Sequence, residues 1–326
     1  MDLNYLILIL TTRCNLKCAY CYNGDREPAD MDPAVLSEAL SLVSRGHGPV
    51  RLQLTGGEPA LVPELIEKAV SQAKNLTRPY KISLQTNATL LDSSLVRFFK
   101  NNNIEIGISL DGPPEANDRL RGRSRELIRG LSFLEEAGCP FTVTTVVTQD
   151  NCQELYKVPL ILAQYSTARG MGLDLLIRKG RQKAELPAED SLTQAIARLK
   201  SALKLINARR EMPLVLREEE QVLRAVSGQA GPFCQACLGR SAAVTPDGDV
   251  YPCGQTAFSR EFYLGRVFER DLKPSNLSEH TLTGDHCRGC FLSGRCPGEC
   301  PSRMFFNQAR DKLLVCHMYR TLAHVP

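Results

Sequence analysis

Cys14, Cys18 and Cys21 stand in one short run, Cys-Asn-Leu-Lys-Cys-Ala-Tyr-Cys, directly after an apolar stretch at 5–10. Three thiolates on one tight loop can hold three irons of a 4Fe–4S cube and leave the fourth iron open. An open iron is a place where a small molecule chelates. Near the other end, Cys287, Cys290, Cys296 and Cys300 are separated by two, five and three residues, with Cys234, Cys237, Cys253 and Cys316 around them. Eleven of the thirteen cysteines therefore fall into spacings that thiolate-ligated clusters use. Zinc also binds cysteine sets, but it takes four closed ligands in structural sites. Three cysteines without a neighbouring histidine do not supply them. The C-terminal set leaves a zinc ribbon open as an alternative.

The elements that must position these residues are legible in the hydrophobic pattern. Strand-like runs at 5–10, 50–55, 80–86, 104–110, 141–148 and 173–178 are rich in Ile, Val, Leu and Thr, as strands buried under helices are. Amphipathic helical segments lie between them. In the first, Asp32 can cap the start, Pro33 takes the first position and Gly46 closes the end. Alternating strands and helices with short loops predict a parallel sheet with right-handed crossovers. In such a barrel-like sheet, working residues gather at the C-terminal strand ends. After about residue 179 the alternation stops, and helices are predicted over 190–209 and 217–226. The region from Cys234 onward lacks regular apolar periodicity, which predicts a core made largely of the clusters themselves.

A chain of 326 residues with 43% apolar content can bury a full core. It has neither an apolar run long enough to span a bilayer nor a secretory signal pattern, so a soluble, cytoplasmic protein is expected. A disulfide scaffold fits neither its length nor its spacings. The formal charge of +4 is no sign of nucleic acid. Three 4Fe–4S clusters on eleven thiolates would add about −5, leaving the loaded protein near −1. No basic stripe interleaved with aromatics appears, so nucleic-acid binding is not expected.

The triple-cysteine run resembles that of the radical S-adenosylmethionine (radical SAM) superfamily, and the whole chain is similar to its SPASM branch. The resemblance implies an α/β fold: a partial (β/α)6 TIM-like barrel followed by a small cysteine-rich domain holding auxiliary iron–sulfur clusters. The expected divisions are 1–180, 181–230 as a helical bridge, and 231–326. In that superfamily the open iron chelates S-adenosylmethionine, and an electron from the cluster cleaves the sulfonium to a 5′-deoxyadenosyl radical that takes a substrate hydrogen. The resemblance places Tyr20 against the adenine. Gly56, Gly57 and Glu58, in Thr-Gly-Gly-Glu-Pro, would meet the methionine amino group, with the glycines permitting a close backbone approach. Ser109 would reach the ribose, and Arg121 the methionine carboxylate. Asp111, in Leu-Asp-Gly-Pro, reads as a turn former. Gln-Thr-Asn-Ala at 85–88 puts Ala88 where the family has glycine, which speaks against a left-handed backbone there.

The SPASM resemblance also implies a ligand division. Cys234, Cys237, Cys253 and Cys300 would hold a first auxiliary cluster, and Cys287, Cys290, Cys296 and Cys316 a second. Three 4Fe–4S clusters and S-adenosylmethionine are thus the implied cofactors. If Cys234 does not ligate, the first auxiliary cluster would keep an open iron for a substrate thiolate; if it does, electron relay is favoured. Cys139 and Cys152 read as structural. His286 and His317 adjoin ligand cysteines but read as surface residues.

SPASM relatives mostly modify ribosomally made peptides or proteins. Sulfatase-maturing relatives carry a basic aspartate directly after the third cysteine of the first auxiliary set, where this chain has Gly254. With the first strand starting at Tyr5, no leader-binding domain is expected ahead of it. The leading expectation is a peptide maturase that forms a cross-link such as a thioether, or oxidises a residue. It would use a flavodoxin- or ferredoxin-type reductant, with any leader recognised by a separate protein. Tetrapyrrole tailoring, sulfatase-type maturation and a ferredoxin-like electron carrier are the alternatives.

Overall fold

The computed structural model describes residues 2–324 except Arg45, Ala230, Arg270, 281–286, Ala309, Arg310 and Lys312; His286 lies outside the described residues. The first half alternates strand and helix in the expected way. In chain order come β1 (Tyr5–Ile9), α1 (Pro33–Ser44), β2 (Val50–Thr55), α2 (Pro63–Ala73), β3 (Tyr80–Thr86), α3 (Ser93–Asn101) and β4 (Glu105–Ser109). Then follow α4 (Pro114–Leu120), α5 (Ser124–Glu136), β5 (Phe141–Val147), α6 (Lys157–Leu162) and β6 (Ala168–Leu175). Strands β1 to β6 pair in parallel, each with its sequence neighbour. Asp32 caps α1 as expected, its carboxylate accepting the Ala34 N–H at 2.7 Å.

The strand faces divide the labour. In β2, Val50, Leu52 and Leu54 are buried while Arg51, Gln53 and Thr55 alternate with them. Successive side chains point to opposite faces of a strand. The apolar set packs into the main core beneath the helices. The alternate set supplies Gln53 and Thr55, with Gln85 of β3 and Ser109 of β4, to a central chamber.

β6 starts five residues earlier than the run 173–178 suggested and ends three earlier. Its first half, Ala-Arg-Gly-Met-Gly, carries no strand signature. Pairing with β5 on one side, and with β7 (Val215–Leu216) on the other, imposes the extended backbone. The bridging helices are α7 (Glu189–Asn207) and α8 (Arg217–Val226).

From Ser241 the chain adds β8 (Ser241–Val244), β9 (Asp249–Tyr251) and β10 (Gly265–Arg266), followed by helices α9 (Pro301–Phe306) and α10 (Leu314–His324). β8 pairs in parallel with the free edge of β1, and β9 and β10 follow antiparallel. One ten-stranded sheet therefore runs through both the barrel and the cysteine-rich region. The expectation of a core made largely of the clusters leaves out an apolar part. Ala243, Tyr251, Phe262 and Leu277 are buried against Ile7 and Ile9 of β1, with Cys234 and Cys253 packed at the edge of the same core. Ala243 and Tyr251 lie in very short strands, and Phe262 and Leu277 lie outside any strand, so no periodicity announces them. Cys139 and Cys152 lie in the main core, away from the chamber. Among the described residues, no helix is long and apolar enough to cross a membrane.

Candidate functional site

The chamber lies at the C-terminal ends of β1 to β6 and measures about 480 Å3, within the usual range for small-molecule sites. Its first wall is the loop after β1. The Arg13–Asp30 pair at 2.6 Å and the bond from Thr11 Oγ1 to Asp30 at 2.6 Å tie the loop's base. Two backbone bonds, Gly57 N–H to Thr11 O at 2.8 Å and Glu58 N–H to Arg13 O at 2.9 Å, lash it to the end of β2. A Cβ on Gly57 would stand 2.2 Å from the Arg13 carbonyl oxygen, and one on Gly56 2.5 Å from that of Thr11. The two glycines thus let two loops lie backbone to backbone. Gly57→Ala is accordingly expected to push the cysteine loop away, cost about 1–3 kcal/mol, and sharply reduce iron retained by that loop. Wild-type iron content and denaturation midpoint in this variant would count against the packing.

Cys14 is exposed, while Cys18 and Cys21 are half-buried. The three stand within electrostatic reach of one another. Desolvation pushes the Cys14 thiol up to about 11, and burial raises Cys18 against the opposing pull of Arg121. Binding iron must displace those protons.

Glu58, expected at the cofactor, lines the chamber, and its carboxylate also serves as a brace. It is 1% exposed and accepts from the Thr86 hydroxyl at 2.6 Å, the Asn87 N–H at 2.7 Å and the Ala60 N–H at 3.1 Å. Desolvation raises its pKa against those bonds. The carboxylate clamps the ends of β2 and β3 together. Ala88, just beyond, has φ of 62°. The left-handed backbone is therefore present despite the missing glycine, held by bonds from the Ala88 N–H to Thr86 and from the Thr89 N–H to Asn87.

Arg121 is the better-supported half of the expected pair. It has left the basic run around it for the interior, its side chain 11% exposed. Its Nε donates to Asp111 at 2.7 Å, its Nη1 lies 3.9 Å from Cys18 Sγ, and its guanidinium sits 5.3 Å from the centre of the Tyr20 ring. Burial works against its charge, but Asp111 outweighs this and leaves the pKa raised. Asp111 is no mere turn former. It is fully buried, takes the Tyr20 hydroxyl and accepts the Val146 N–H at 2.9 Å. Nothing local in Leu-Asp-Gly-Pro distinguishes this role, since its partners come from β5 and from the loop after β1. Ser109 accepts from Gln85 Nε2 at 2.9 Å and faces the same space.

The second wall comes from the C-terminal region. Cys234 and Cys237 sulfurs lie 3.7 Å apart. Their mutual hydrogen bond lowers the Cys237 pKa to about 7 and raises that of Cys234. Cys237 feels Cys300, Cys253 feels Cys234, and Cys300 feels Cys253. Cys296 and Cys316 instead feel Cys287 and Cys290. The thiols thus gather into two sets that interleave in sequence. Cys234, Cys253 and Cys300 border the chamber. Among the described residues no three metal-binding side chains close on one point; the thiolates of a cube bind separate irons and need not.

The third wall is charged, and the sequence reading did not single it out. Asp174 at the end of β6 pairs with Arg217 at 3.0 Å and lies 3.8 Å from Arg303, whose own partner is Glu299 at 2.6 Å. Beside Gly254 there is open space. A Cβ there would meet Ile7 Cγ2 and the Tyr22 hydroxyl only at 3.8 Å. Asn23 Oδ1, in the chamber wall, is buried and accepts no hydrogen bond from the described chain. A buried acceptor of this kind calls for a donor from a bound molecule. Thiol grouping, chamber size and orphaned acceptor together fit a cluster with a polar ligand. His317 pairs with Glu189 at 3.1 Å, as a surface residue does.

Comparisons with known proteins agree with this geometry. Residues 8–157 match the profile of the Radical SAM superfamily. An uncharacterized protein of Methanocaldococcus jannaschii is 30% identical over 77% of this chain and 85% of its own. The serine-type anaerobic sulfatase-maturating enzyme of Bacteroides thetaiotaomicron is 24% identical over 91% of this chain and 82% of its own. The solved structure of native anSMEcpe with bound AdoMet and Cp18Cys peptide superposes with a TM-score of 0.80 at 22% identity, covering 98% of this chain and 94% of that one.

Proposed function

Because this chain belongs to the radical SAM superfamily and is an enzyme of the SPASM maturase type, we propose that it generates a 5′-deoxyadenosyl radical in the chamber and uses it to oxidise or cross-link a peptide carbon. The carrying observation is that Cys14, Cys18 and Cys21 share one chamber with Cys234, Cys253 and Cys300. Radical generation and electron removal would therefore act on the same bound substrate.

On this reading the first three cysteines hold a 4Fe–4S cluster, and the other eight ligands hold two more. A cluster held by Cys14, Cys18 and Cys21 would supply the electron for reductive cleavage of the sulfonium. The chain's own residues do the positioning. Arg121, with Nε committed to Asp111, keeps its outer N–H groups for the methionine carboxylate. Tyr20 has its hydroxyl tied to Asp111, which fixes the ring orientation beside the adenine. Ser109, with one lone pair taken by Gln85, keeps its own proton for the ribose. Asn23 Oδ1 offers the acceptor that the methionine amino group needs. The apolar side of the chamber, Ile7 and Leu175 among it, excludes water from the radical. A peptide fits as substrate because a chamber bounded by Asp174, Arg217 and Arg303 offers both hydrogen-bond acceptors and donors to a backbone.

The test is anaerobic coexpression with a candidate precursor peptide, followed by mass spectrometry. A mass loss of two hydrogens on the peptide, with 5′-deoxyadenosine in matching amount, is expected. Stoichiometric S-adenosylmethionine cleavage with no change in any peptide, but oxidation of a small molecule, would transfer the activity to that class.

A further inference from the structure

The loop bearing Cys253 is held from the barrel side by a buried lysine. Lys179, 9% exposed, lies just past β6 and donates to Gln255 O at 2.7 Å and Ala257 O at 2.6 Å. It lies within electrostatic reach of Cys253, and burial brings its pKa down to about 8. Gln255 continues the chain of contacts on its other side. Its Oε1 lies 3.3 Å from Cys300 Sγ and 2.6 Å from Ser302 Oγ, and Ser302 Oγ lies 2.9 Å from the same sulfur.

The three contacts change character when Cys300 is a ligand. The ligating form is the thiolate, which has no proton to donate. An amide oxygen beside it would then face a second acceptor. Amide oxygen and nitrogen occupy nearly the same place after a half-turn, and the hydrogen-bond network decides between them. With the turn, Nε2 donates one proton to Cys300 Sγ and the other to Ser302 Oγ. The serine proton is thereby free for the sulfur. One ligand sulfur would receive two hydrogen bonds, with the Lys179 ammonium behind them. Hydrogen bonds to cluster sulfurs and added positive charge are among the features that set the reduction potential of a cluster. Both stabilise the more negative, reduced state.

We infer that Gln255, Ser302 and Lys179 are positioning residues that raise the potential of the cluster on Cys234, Cys237, Cys253 and Cys300, making it the electron acceptor for substrate oxidation. The inference rests on the ligand set proposed above. The electron balance is closed. Homolysis of the substrate C–H bond gives 5′-deoxyadenosine and a carbon radical. The hydrogen atom passes to the 5′-deoxyadenosyl radical, whose new C–H bond replaces the one broken. The carbon radical would then give up one proton, released to bulk solvent, and one electron to the cluster, which would pass from 2+ to 1+.

The test is a redox titration of the reconstituted full-length protein, read by electron paramagnetic resonance, with the other two clusters as internal references. Ser302→Ala and Gln255→Leu are each expected to lower the reduced-to-oxidised ratio of this one cluster about three- to tenfold at fixed potential. Lys179→Met is expected to shift it the same way, and Lys179→Arg much less. Ser302→Thr, which keeps the hydroxyl, should titrate with wild type; a shift as large as that of Ser302→Ala would assign the effect to packing and overturn the inference. Should Ser302→Ala lose iron, Gln255→Glu decides, because it replaces an N–H donor by a carboxylate and should shift furthest. Unchanged titration of Gln255→Glu overturns the inference. Cys300→Ala separates the two levels: it should abolish this cluster's signal, and if it leaves iron and signals intact, the ligand set itself is wrong.

Discussion

The triple variant with alanine at Cys14, Cys18 and Cys21 should form no detectable 5′-deoxyadenosine under dithionite, while keeping about eight of about twelve irons. The whole effect follows from ligand count. Three thiolates are the minimum that holds a cube with one open iron, and no described residue nearby offers a substitute thiolate. The other eight cysteines proposed as ligands sit in two separate sets on other elements. Folding should be little disturbed, because Cys14 is exposed and the other two are half-buried. Iron analysis and product chromatography on the same preparation make the comparison. S-adenosylmethionine cleavage by the triple variant would show that the cofactor site has been placed on the wrong thiols. Retention of four irons instead of eight would remove one auxiliary cluster from the proposal.

Asp111→Ala should be the most damaging single substitution outside the cysteines. It strands the Arg121 guanidinium in a buried site, removes the partner of the Tyr20 hydroxyl and orphans the Val146 N–H. Removing one member of a buried ion pair costs about 3–5 kcal/mol, which is much of the stability of an ordinary domain. Asp111→Ala combined with Arg121→Met should recover part of that loss, since no unpaired charge remains; additivity fails for residues in direct contact. The double variant would still bind S-adenosylmethionine poorly, because the carboxylate contact is gone. Chemical denaturation of the apoprotein gives the first comparison, and equilibrium binding gives the second. Additive losses in denaturation would show that the two side chains are not a coupled pair.

The parts of this protein that are local were legible without a structure. Cysteines suited to cluster ligation announce themselves by spacing, because a cluster constrains how many residues can separate two thiolates on a loop. The strands and first helix were legible because burial under helices enforces runs of branched apolar residues, and because Asp32 and Pro33 are cap chemistry read within one turn. The assignment of Cys300 to the set of Cys253 was carried by family resemblance alone. The same reading failed wherever a residue's partners lie far along the chain. Asp111 looked like a turn residue because Tyr20, Arg121 and Val146 are brought to it by three different elements. The brace made by Glu58 was not legible because Thr86 and Asn87, which donate to its oxygens, lie at the end of the next strand and just past it. Lys179, Asp174 and Arg303 carry no motif at all. Sequence alone determined which chemistry this chain holds, since iron ligation depends on residue type and short spacing. Tertiary structure alone decided which charges are buried, paired and aimed into the chamber, since desolvation and partner distance are properties of packing between strands that never meet in sequence.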